Sequence, residues 1–178
     1  MPLNDLPADE VLLEQALANA IKTVLIGVQG IGKVHEVPRY PQDDEEDIAL
    51  TATDDPITGA TDPRTDVVMI GIPTVRESQY TQDEKTQLIF TYPITYEHQV
   101  VPSWVKAGYE FTSSAQKVKA VYMRARRALK FNRQLGYNNV VHNYLQQVVT
   151  GDEGDAETGG LWHSAEWSLE VIVSNVTV

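Results

Sequence analysis

The segment LWHSAEWSLEVIV, residues 161–173, alternates apolar and polar side chains and is the most regular pattern in the chain. Its odd positions from Ala165 to Val173 are all apolar, whereas its even positions from 164 to 170 carry serine or glutamate. This period of two predicts a β-strand over Leu161–Val173 with one face against a core. His163 falls on the apolar face by parity, which favours a hydrogen-bonded imidazole in the core or at an interface.

Four other segments are predicted to be strands. Val34–Val37 is short, β-branched at both ends and closed by Pro38, which is typical of an edge or first strand. The others are Asp66–Val75, Gln87–Val101 and Asn139–Thr150, with turn-like segments at Glu77–Lys85 and Gly151–Gly160. Because proline cannot donate a ladder hydrogen bond, Pro73 and Pro93 predict bulges or edge positions that interrupt the sheet.

Two amphipathic helices accompany these strands. The first is predicted over Ala8–Ile26, because apolar residues recur there at steps of three and four, and Gly27 ends it. The second opens at a capping box formed by Ser113 and Gln116 and ends before Gly136. The predicted buried stripes are Leu13, Leu17, Ala20, Ile21, Val24 and Leu25 in the first helix and Val118, Val121, Tyr122, Ala125 and Leu129 in the second.

The predicted order of elements, α-β-β-β-α-β-β, belongs to the α+β class. We expect a mostly antiparallel sheet of about five strands packed against two main helices. A length of 178 residues, 42% of them hydrophobic, suits one domain over residues 1–178. Residues 43–66 hold nine acidic residues, two prolines and few large apolar side chains, which predicts an acidic loop or flap.

Composition excludes several kinds of site and partner. The chain has no cysteine, so disulfides, thiolate metal sites and a cysteine nucleophile are excluded. The apolar stretches are too short for a membrane span, and the start lacks a basic leader, so we expect a soluble, unexported protein. With 25 acidic and 14 basic residues the formal net charge is -11, which repels DNA at long range. Sequence-specific DNA binding is therefore not expected, whereas passive passage of DNA through a negatively charged ring is compatible with this charge.

The segment GVQGIGK, residues 27–33, has the spacing of a glycine-rich phosphate-binding loop. Such a loop needs a strand before it, a helix after it and a hydroxyl residue beside the lysine. Here a predicted helix precedes the segment, Val34 follows Lys33, and Pro38 prevents a helix. We therefore predict a connection from helix to strand whose glycines permit positive φ angles, with no bound cofactor.

Other polar residues give only weak support for a metal site or a catalytic site. The five consecutive carboxylates from Asp43 to Asp47 lack the spacing of a calcium loop, so a solvated acidic surface is predicted. The histidines, His35, His98, His142 and His163, are far apart in the sequence and show no metalloprotease spacing. No Gly-x-Ser-x-Gly motif surrounds any serine. We predict no catalytic, cofactor-binding or metal-binding residues and no enzymatic activity.

The second helix concentrates positive charge. It holds half of the basic residues of the chain, and no acidic residue lies between Glu110 and Asp152. A favourable interaction of cations with the helix C-terminus explains part of this pattern but not the missing acids. Segregated charges suit head-to-tail pairing of identical subunits, the geometry from which rings form. The predicted subunit or partner interface comprises Lys117, Lys119, Arg124, Arg126, Arg127, Lys130 and Arg133, with Asp43, Asp44, Glu45, Glu46 and Asp47 as the acidic counterpart.

The order of these elements resembles the tail terminator, or tail completion, proteins of long-tailed bacteriophages and archaeal tailed viruses. The resemblance covers about Leu12 to Val173 and rests on GIGKVHEV at residues 30–37 followed by Arg39 and Tyr40, SSAQ at residues 113–116 and GGLWHSAEWSLE at residues 159–170. The acidic segment looks longer than the usual connection, and Phe90 and Tyr92 stand where relatives often have tryptophan.

This resemblance implies a structural virion protein that assembles as a hexameric ring at the head–tail junction, after assembly in the host cytoplasm. The ring would cap the tail tube, stop its polymerisation and present a surface for the head connector, while genomic DNA passes through it. Two alternatives remain open: another ring at the head–tail junction, such as a head-closure or neck protein, and, more remotely, a nucleotide-binding enzyme that uses Gly27–Lys33.

Overall fold

The computed structural model describes Asp5, Pro7 and residues 10–36, 52–54, 61–63, 66–79, 86–99, 114–144, 149–154 and 161–176. Within these ranges the chain forms two helices and nine strands. Their order is α1 (Glu10–Ile26), β1 (Lys33–Glu36), β2 (Ala52–Asp54), β3 (Thr61–Pro63), β4 (Asp66–Ile70), β5 (Thr74–Gln79), β6 (Thr86–Gln99), α2 (Ser114–Phe131), β7 (Val140–Tyr144), β8 (Val149–Gly154) and β9 (Leu161–Val176).

Seven of these strands form one sheet that is five positions wide. The long strands β6 and β9 are antiparallel neighbours and form its centre. Strands β4 and β5 lie end to end along the other side of β6, and β7 and β8 lie in the same way along β9. Strand β1 pairs in parallel with β4, and every other pairing in the sheet is antiparallel.

The gap between β4 and β5 has a local cause at Pro93, in the middle of β6. Proline has no N–H group to donate to a neighbouring strand, so the ladder loses a bond at this position. The backbone N–H of Gly71 donates to the Pro93 carbonyl oxygen at 2.8 Å, and a β-carbon on Gly71 would lie 2.7 Å from Pro93 Cγ. The interruption predicted from Pro73 and Pro93 is therefore confirmed.

Both helices pack on one side of the sheet through the predicted apolar stripes. In α1 the stripe is buried at Leu13, Leu17, Ile21 and Leu25, and in α2 at Val118, Val121, Ala125 and Leu129. Ala20, Val24 and Tyr122 are half-buried and pack against the same core. The alternation in β9 is also confirmed, because its odd positions from Ala165 to Val173 are buried on this side. We call this the helix-covered side of the sheet.

Specific polar and aromatic contacts fix each helix on the sheet. The hydroxyl of Tyr92 in β6 donates to the Glu14 carbonyl oxygen of α1 at 2.8 Å. Burial, with a smaller contribution from Glu14, raises the pKa of Tyr92 well above its ordinary value, so this hydroxyl keeps its proton. In α2 the ring of Tyr122 meets Trp167 of β9 edge to face, with centroids 5.5 Å apart.

The α+β class, the mostly antiparallel sheet and the two helices are confirmed. The predicted order with about five strands was too simple, because six strands precede α2 and three follow it among the described residues, and some strand bounds were wrong. The segment predicted as the strand Asp66–Val75 contains β4 and the start of β5, and that predicted as Asn139–Thr150 contains β7 and the start of β8. The predicted turns also begin too early, since β5 runs to Gln79 and β8 to Gly154. These polar residues form strands because β5 pairs with the long strand β6 and β8 with the long strand β9. The backbone hydrogen bonds of this pairing outweigh the turn-like composition of the segments.

The acidic segment 43–66 is not wholly a loop. Its described parts include β2 and β3, which pair antiparallel with Ala52 opposite Pro63, and the first residue of β4. Pairing over three residues in each strand can form through backbone hydrogen bonds without apolar side chains. The acidic run Asp43–Asp47 and the capping residue Ser113 lie outside the described residues.

Candidate functional site

The predicted basic residues of α2 separate into three groups. Val118, Val121, Ala125 and Leu129 face the sheet, so the helical period turns most of the cations toward solvent. The exposed cations are Lys119, Arg126, Arg127 and Lys130 of α2 and Arg133 just after its end, which together we call the basic face. Arg124 is half-buried and Lys117 is buried.

Lys117 does not belong to the exposed surface, contrary to the sequence prediction. Its side chain is only 2% exposed. Position 117 lies four residues before Val121 and eight before Ala125, so it shares the sheet-facing stripe of the helix. The sequence prediction grouped Lys117 with the other cations because of its charge, although the helical period places it on the sheet-facing stripe.

Arg124 makes a contact within the chain that gives it a structural role. Its Nη1 atom donates to the carbonyl oxygen of Gln29 at 3.3 Å, which connects α2 to the turn between α1 and β1. Gly30 in that turn has a φ of 82°, and a β-carbon there would lie 3.5 Å from Val121 Cγ2. The arginine and the glycine together allow α2 to approach this turn closely.

The basic face also carries exposed apolar surface. Phe131 is 75% exposed, and the guanidinium carbon of Arg127 lies 5.8 Å from its ring centroid, within the range of a cation–π contact. Met123 is 51% exposed on the same helix. Arginine, aromatic residues and methionine are enriched in protein–protein interfaces, so this composition suits contact with another protein.

Part of the basic face has no salt-bridge partner among the residues that the structure describes. Lys119, Lys130 and Arg133 form no salt bridge with any residue that the structure describes. The two salt bridges between fully described partners lie elsewhere, from Lys22 to Glu36 at 3.0 Å and from Arg76 to Glu170 at 2.9 Å. The positive potential of the basic face is therefore directed outward rather than neutralised by these pairs.

The opposite side of the sheet has the complementary character. Neither α1 nor α2 packs on it, and we call it the helix-free face. It presents the carboxylates of Glu97, Glu166 and Glu170 in alternation with the hydroxyl residues Thr91, Thr95, Ser164 and Ser168, and Glu170 is paired with Arg76. The basic face and this acidic, hydroxyl-rich surface thus lie on opposite sides of the same chain.

The predicted acidic counterpart, Asp43–Asp47, lies outside the described residues, so the structure places only the basic half of that proposed pair.

The glycine segment has the geometry of a connection from helix to strand. Helix α1 ends at Ile26, the backbone N–H of Ile31 donates to the Val28 carbonyl oxygen at 3.2 Å, and β1 begins at Lys33. The glycines of this connection were predicted to permit positive φ angles; Gly30 and Gly32 have φ angles of 82° and 74°, whereas Gly27 does not have a positive φ. A phosphate-binding loop uses amides at the start of a following helix, and here a strand follows instead.

The fold brings together two histidines that sequence spacing keeps apart. His98 in β6 stands directly opposite His163 in β9. His98 is 3% exposed and His163 is half-buried. Strand register produces this pairing, and neither histidine lies in a short motif that could have revealed it. Among the residues whose side chains the structure describes, no group of three or more His, Asp or Glu residues is placed to hold a metal ion.

A comparison with models of known protein families gives no match for this chain, and a comparison with curated protein sequences gives none either. In the part of the chain that the structure describes, no helix has both the length and the apolar character needed to cross a membrane.

Proposed function

We propose that this chain is a structural subunit of a ring, and that the basic face of α2 contacts an acidic surface of an adjacent subunit or partner. The placement of cations and carboxylates on opposite sides of one subunit carries this proposal. When two complementary surfaces lie on different sides of a subunit, one subunit binds the next head to tail. Such contacts form a closed ring if the rotation from one subunit to the next returns to the first. The exposed Phe131 and Met123 would add apolar burial at the contact.

Within this class we propose a tail terminator of a long-tailed virus. Support comes from the resemblance in sequence segments described above and from the mostly antiparallel sheet with both helices on one side. In this role a hexameric ring docks on the last ring of the tail tube and ends its growth. The other surface of the ring accepts the head connector, and DNA passes through the centre without sequence-specific contacts.

The nearest alternative is another ring at the head–tail junction, such as a head-closure or neck protein. The same charge arrangement suits either role, because both require subunits that pair head to tail. A deletion mutant of the virus separates them by electron microscopy. Overlong tails support a terminator, whereas tails of normal length that fail to join heads support the neck or head-closure role.

A nucleotide-binding enzyme built on Gly27–Lys33 has less support. The segment lies after a helix and before a strand, which is the reverse of the order in a phosphate-binding loop. Calorimetry with ATP and GTP tests this alternative directly. Saturable binding that is lost in a Lys33→Ala variant would favour the enzyme over the ring.

Electron microscopy of the purified chain, alone and mixed with its tail-tube protein, tests the ring proposal. We expect closed rings or caps on the ends of tubes. A strictly monomeric mass by light scattering under both conditions would overturn the proposal, because a terminator must assemble at least on its partner.

A further inference from the structure

Two edge strands stand at opposite ends of one four-strand segment of the sheet. Strand β5 lies along the outer side of β6 and β7 along the outer side of β9, so the order across this segment is β5, β6, β9 and β7. One row runs from Val75 through Phe90 and Val171 to His142. Among the strands that the structure describes, neither β5 nor β7 has a second neighbour.

The hydrogen bonding of β9 identifies the backbone groups that β7 directs away from the sheet. Ser174 of β9 donates its N–H to the carbonyl oxygen of Asn139 at 2.9 Å. Along an antiparallel ladder, hydrogen-bonded pairs alternate with pairs that are not bonded. The register that continues from this pair gives outward N–H and C=O groups to three residues of β7: Val140, His142 and Tyr144.

The same alternation identifies the outward groups of β5. Gly71 donates its N–H to the Pro93 carbonyl oxygen, so the odd-numbered residues of β6 bond toward the side of the sheet that holds β4 and β5. The β5 residues opposite these odd positions bond to β6. The residues between them have outward N–H and C=O groups: Val75, Glu77 and Gln79.

The even number of strands makes these two edges complementary. Because each neighbour in the segment is antiparallel, β5 and β7 run in opposite directions, and β7 of one copy beside β5 of another forms an antiparallel pair. The outward residues of both edges lie in rows with the buried residues Leu88, Phe90, Val171 and Val173 of the helix-covered side. Paired in this way, two copies have their helices on the same side of one continuous sheet.

The composition of β7 leaves its edge open to pairing. Edge strands are usually protected by charged residues, proline or bulges. Strand β7, Val140–Tyr144, has the sequence VVHNY, without lysine, arginine, aspartate, glutamate, proline or glycine, and Val141 is 48% exposed. Strand β5 contains two charged residues, but Arg76 is held by Glu170 of the same sheet at 2.9 Å.

The other charge of β5 fits the surface above β7. Glu77 is exposed, lies opposite Leu88 of the helix-covered side and forms no salt bridge with the described residues. In α2, Arg124 contacts the turn before β1, so its flank of the helix faces β1. Since a helix turns by about 100° per residue, Lys119 and Lys130 lie on the opposite flank, toward β7. A carboxylate on a strand added to β7 would therefore lie beside these cations.

We propose that β7 of one subunit pairs with β5 of the next, so that the sheets join edge to edge around the ring. This inference rests on the proposed ring and names its contact, in which backbone hydrogen bonds join the edges and Glu77 faces the cations of α2. The register with the most pairing sets Val140 opposite Gln79 and Tyr144 opposite Val75. Beside β4, strand β1 makes the other half of the sheet one strand wider, so neighbouring sheets diverge there and the ring is wider at that end.

Cysteine cross-linking tests the contact directly, because the chain has no cysteine of its own. In this register Val141 lies opposite Ser78, at a pair that is not hydrogen-bonded, where α-carbons are about 4.5 Å apart and a disulfide can form. Val141→Cys and Ser78→Cys chains are mixed at low salt, with and without tail-tube protein, and treated with oxidised glutathione. We expect a disulfide-linked dimer of one chain of each kind. The control mixture of Val141→Cys with Thr23→Cys, on the exposed side of α1, should give none.

Proline substitution is a second measurement that does not depend on the register. Val75→Pro and His142→Pro each remove an outward N–H and leave the bonds to β6 or β9 in place, which an edge strand tolerates. Each should weaken ring assembly by about tenfold in sedimentation velocity, while circular dichroism shows a folded chain. The matched control is Val75→Thr, which keeps the N–H and should assemble like the wild type.

The outcomes separate this pairing from the ring itself. Rings of the wild type, together with no cross-link in the mixture and equal assembly of Val75→Pro and Val75→Thr, would overturn the pairing of β5 with β7 and leave the ring with another interface. A wild type that stays monomeric, both alone and with tail-tube protein, would overturn the ring and the pairing with it.

Discussion

The two helices pack on the same side of one sheet through similar apolar stripes, but they use their charges differently. In α1, Lys22 forms a salt bridge with Glu36 of β1, and the backbone at Glu14 accepts a hydrogen bond from Tyr92. In α2, four cations face solvent and the helix carries no acidic residue. The polar contacts of α1 therefore stabilise the fold, whereas Lys119 and Lys130 of α2 are exposed and form no salt bridge with the residues that the structure describes.

The residues that stabilise the domain are therefore distinct from the exposed residues that could contact another molecule. Substitutions in the two apolar stripes should have similar effects on folding, because Leu17 and Leu129 are both fully buried against the same core. Substitutions on the exposed sides of the helices should differ, because only α2 carries a concentrated charge.

The largest effect is expected from truncation of either apolar stripe. Leu17→Ala in α1 and Leu129→Ala in α2 should each lower the free energy of unfolding by about 2–5 kcal/mol, because each leaves a cavity in a packed core. Urea denaturation followed by circular dichroism measures this. Met123→Ala on the exposed side of α2 is the control, with an expected change within about 0.5 kcal/mol. A cost below about 1 kcal/mol for Leu129→Ala would contradict the packing of α2 described above.

The second effect concerns assembly rather than folding. Lys119, Lys130 and Arg133 are exposed and form no salt bridge with the described residues. Changing all three to glutamine should weaken self-association or binding to the tail partner by about tenfold, with little change in stability. Sedimentation velocity at low and high salt measures this. The residual association of the variant should also depend less on salt than that of the wild type.

A charge-matched control distinguishes a local interface from a general effect of net charge. The exposed residues Gln15, Asn19 and Thr23 of α1 can be changed to Glu, Asp and Glu, which also lowers the net charge by three. This control should assemble like the wild type. If it weakens assembly as much as the α2 variant does, net charge rather than the basic face controls association.

A smaller effect is expected at the contact between Tyr92 and α1. Tyr92→Phe removes the hydrogen bond to the Glu14 carbonyl oxygen and should cost about 0.5–1.5 kcal/mol at neutral pH. Because burial raises the pKa of Tyr92 in the folded chain, its contribution is complete below about pH 10 and is lost as the pH rises further. The stability of the wild type should therefore decline above about pH 10 more steeply than that of Tyr92→Phe. Parallel declines would contradict the role of this hydroxyl.

The smallest effect is expected at Arg124, the one half-buried cation of α2. Arg124→Ala removes the hydrogen bond to the Gln29 carbonyl oxygen and should cost about 0.5 kcal/mol, because the bond is exposed to solvent. Assembly of the folded variant should match that of the wild type. A large loss of assembly would place Arg124 in the interface with the other cations.

Periodicity in the sequence predicts the fold well where one face of an element is buried. The stripe of α2 from Val118 to Leu129 and the alternation of β9 follow directly from the spacing of apolar residues. The extension of β5 to Gln79 does not follow, because its polar residues form a strand only through pairing with β6. Local composition cannot report a hydrogen-bond partner that lies elsewhere in the chain.

The candidate sites were predicted only in part, for the same reason. The cluster of cations in α2 is visible in the sequence, but the burial of Lys117 appears only when the helical period is applied to each charge. The pairing of His98 with His163 depends on the register between β6 and β9, and a shift of one residue would turn a strand's side chains to the other face. Spacing along the chain carries no information about that register.

The mass of the purified chain in solution, measured at low and high salt in the presence and absence of its tail-tube protein, tests the central claim most directly. We predict a ring-sized assembly in at least one low-salt condition, and its weakening as salt screens the basic face. A monomer under every condition, or an assembly that neither salt nor the Lys119, Lys130 and Arg133 substitutions alter, would contradict a ring held by the basic face of α2.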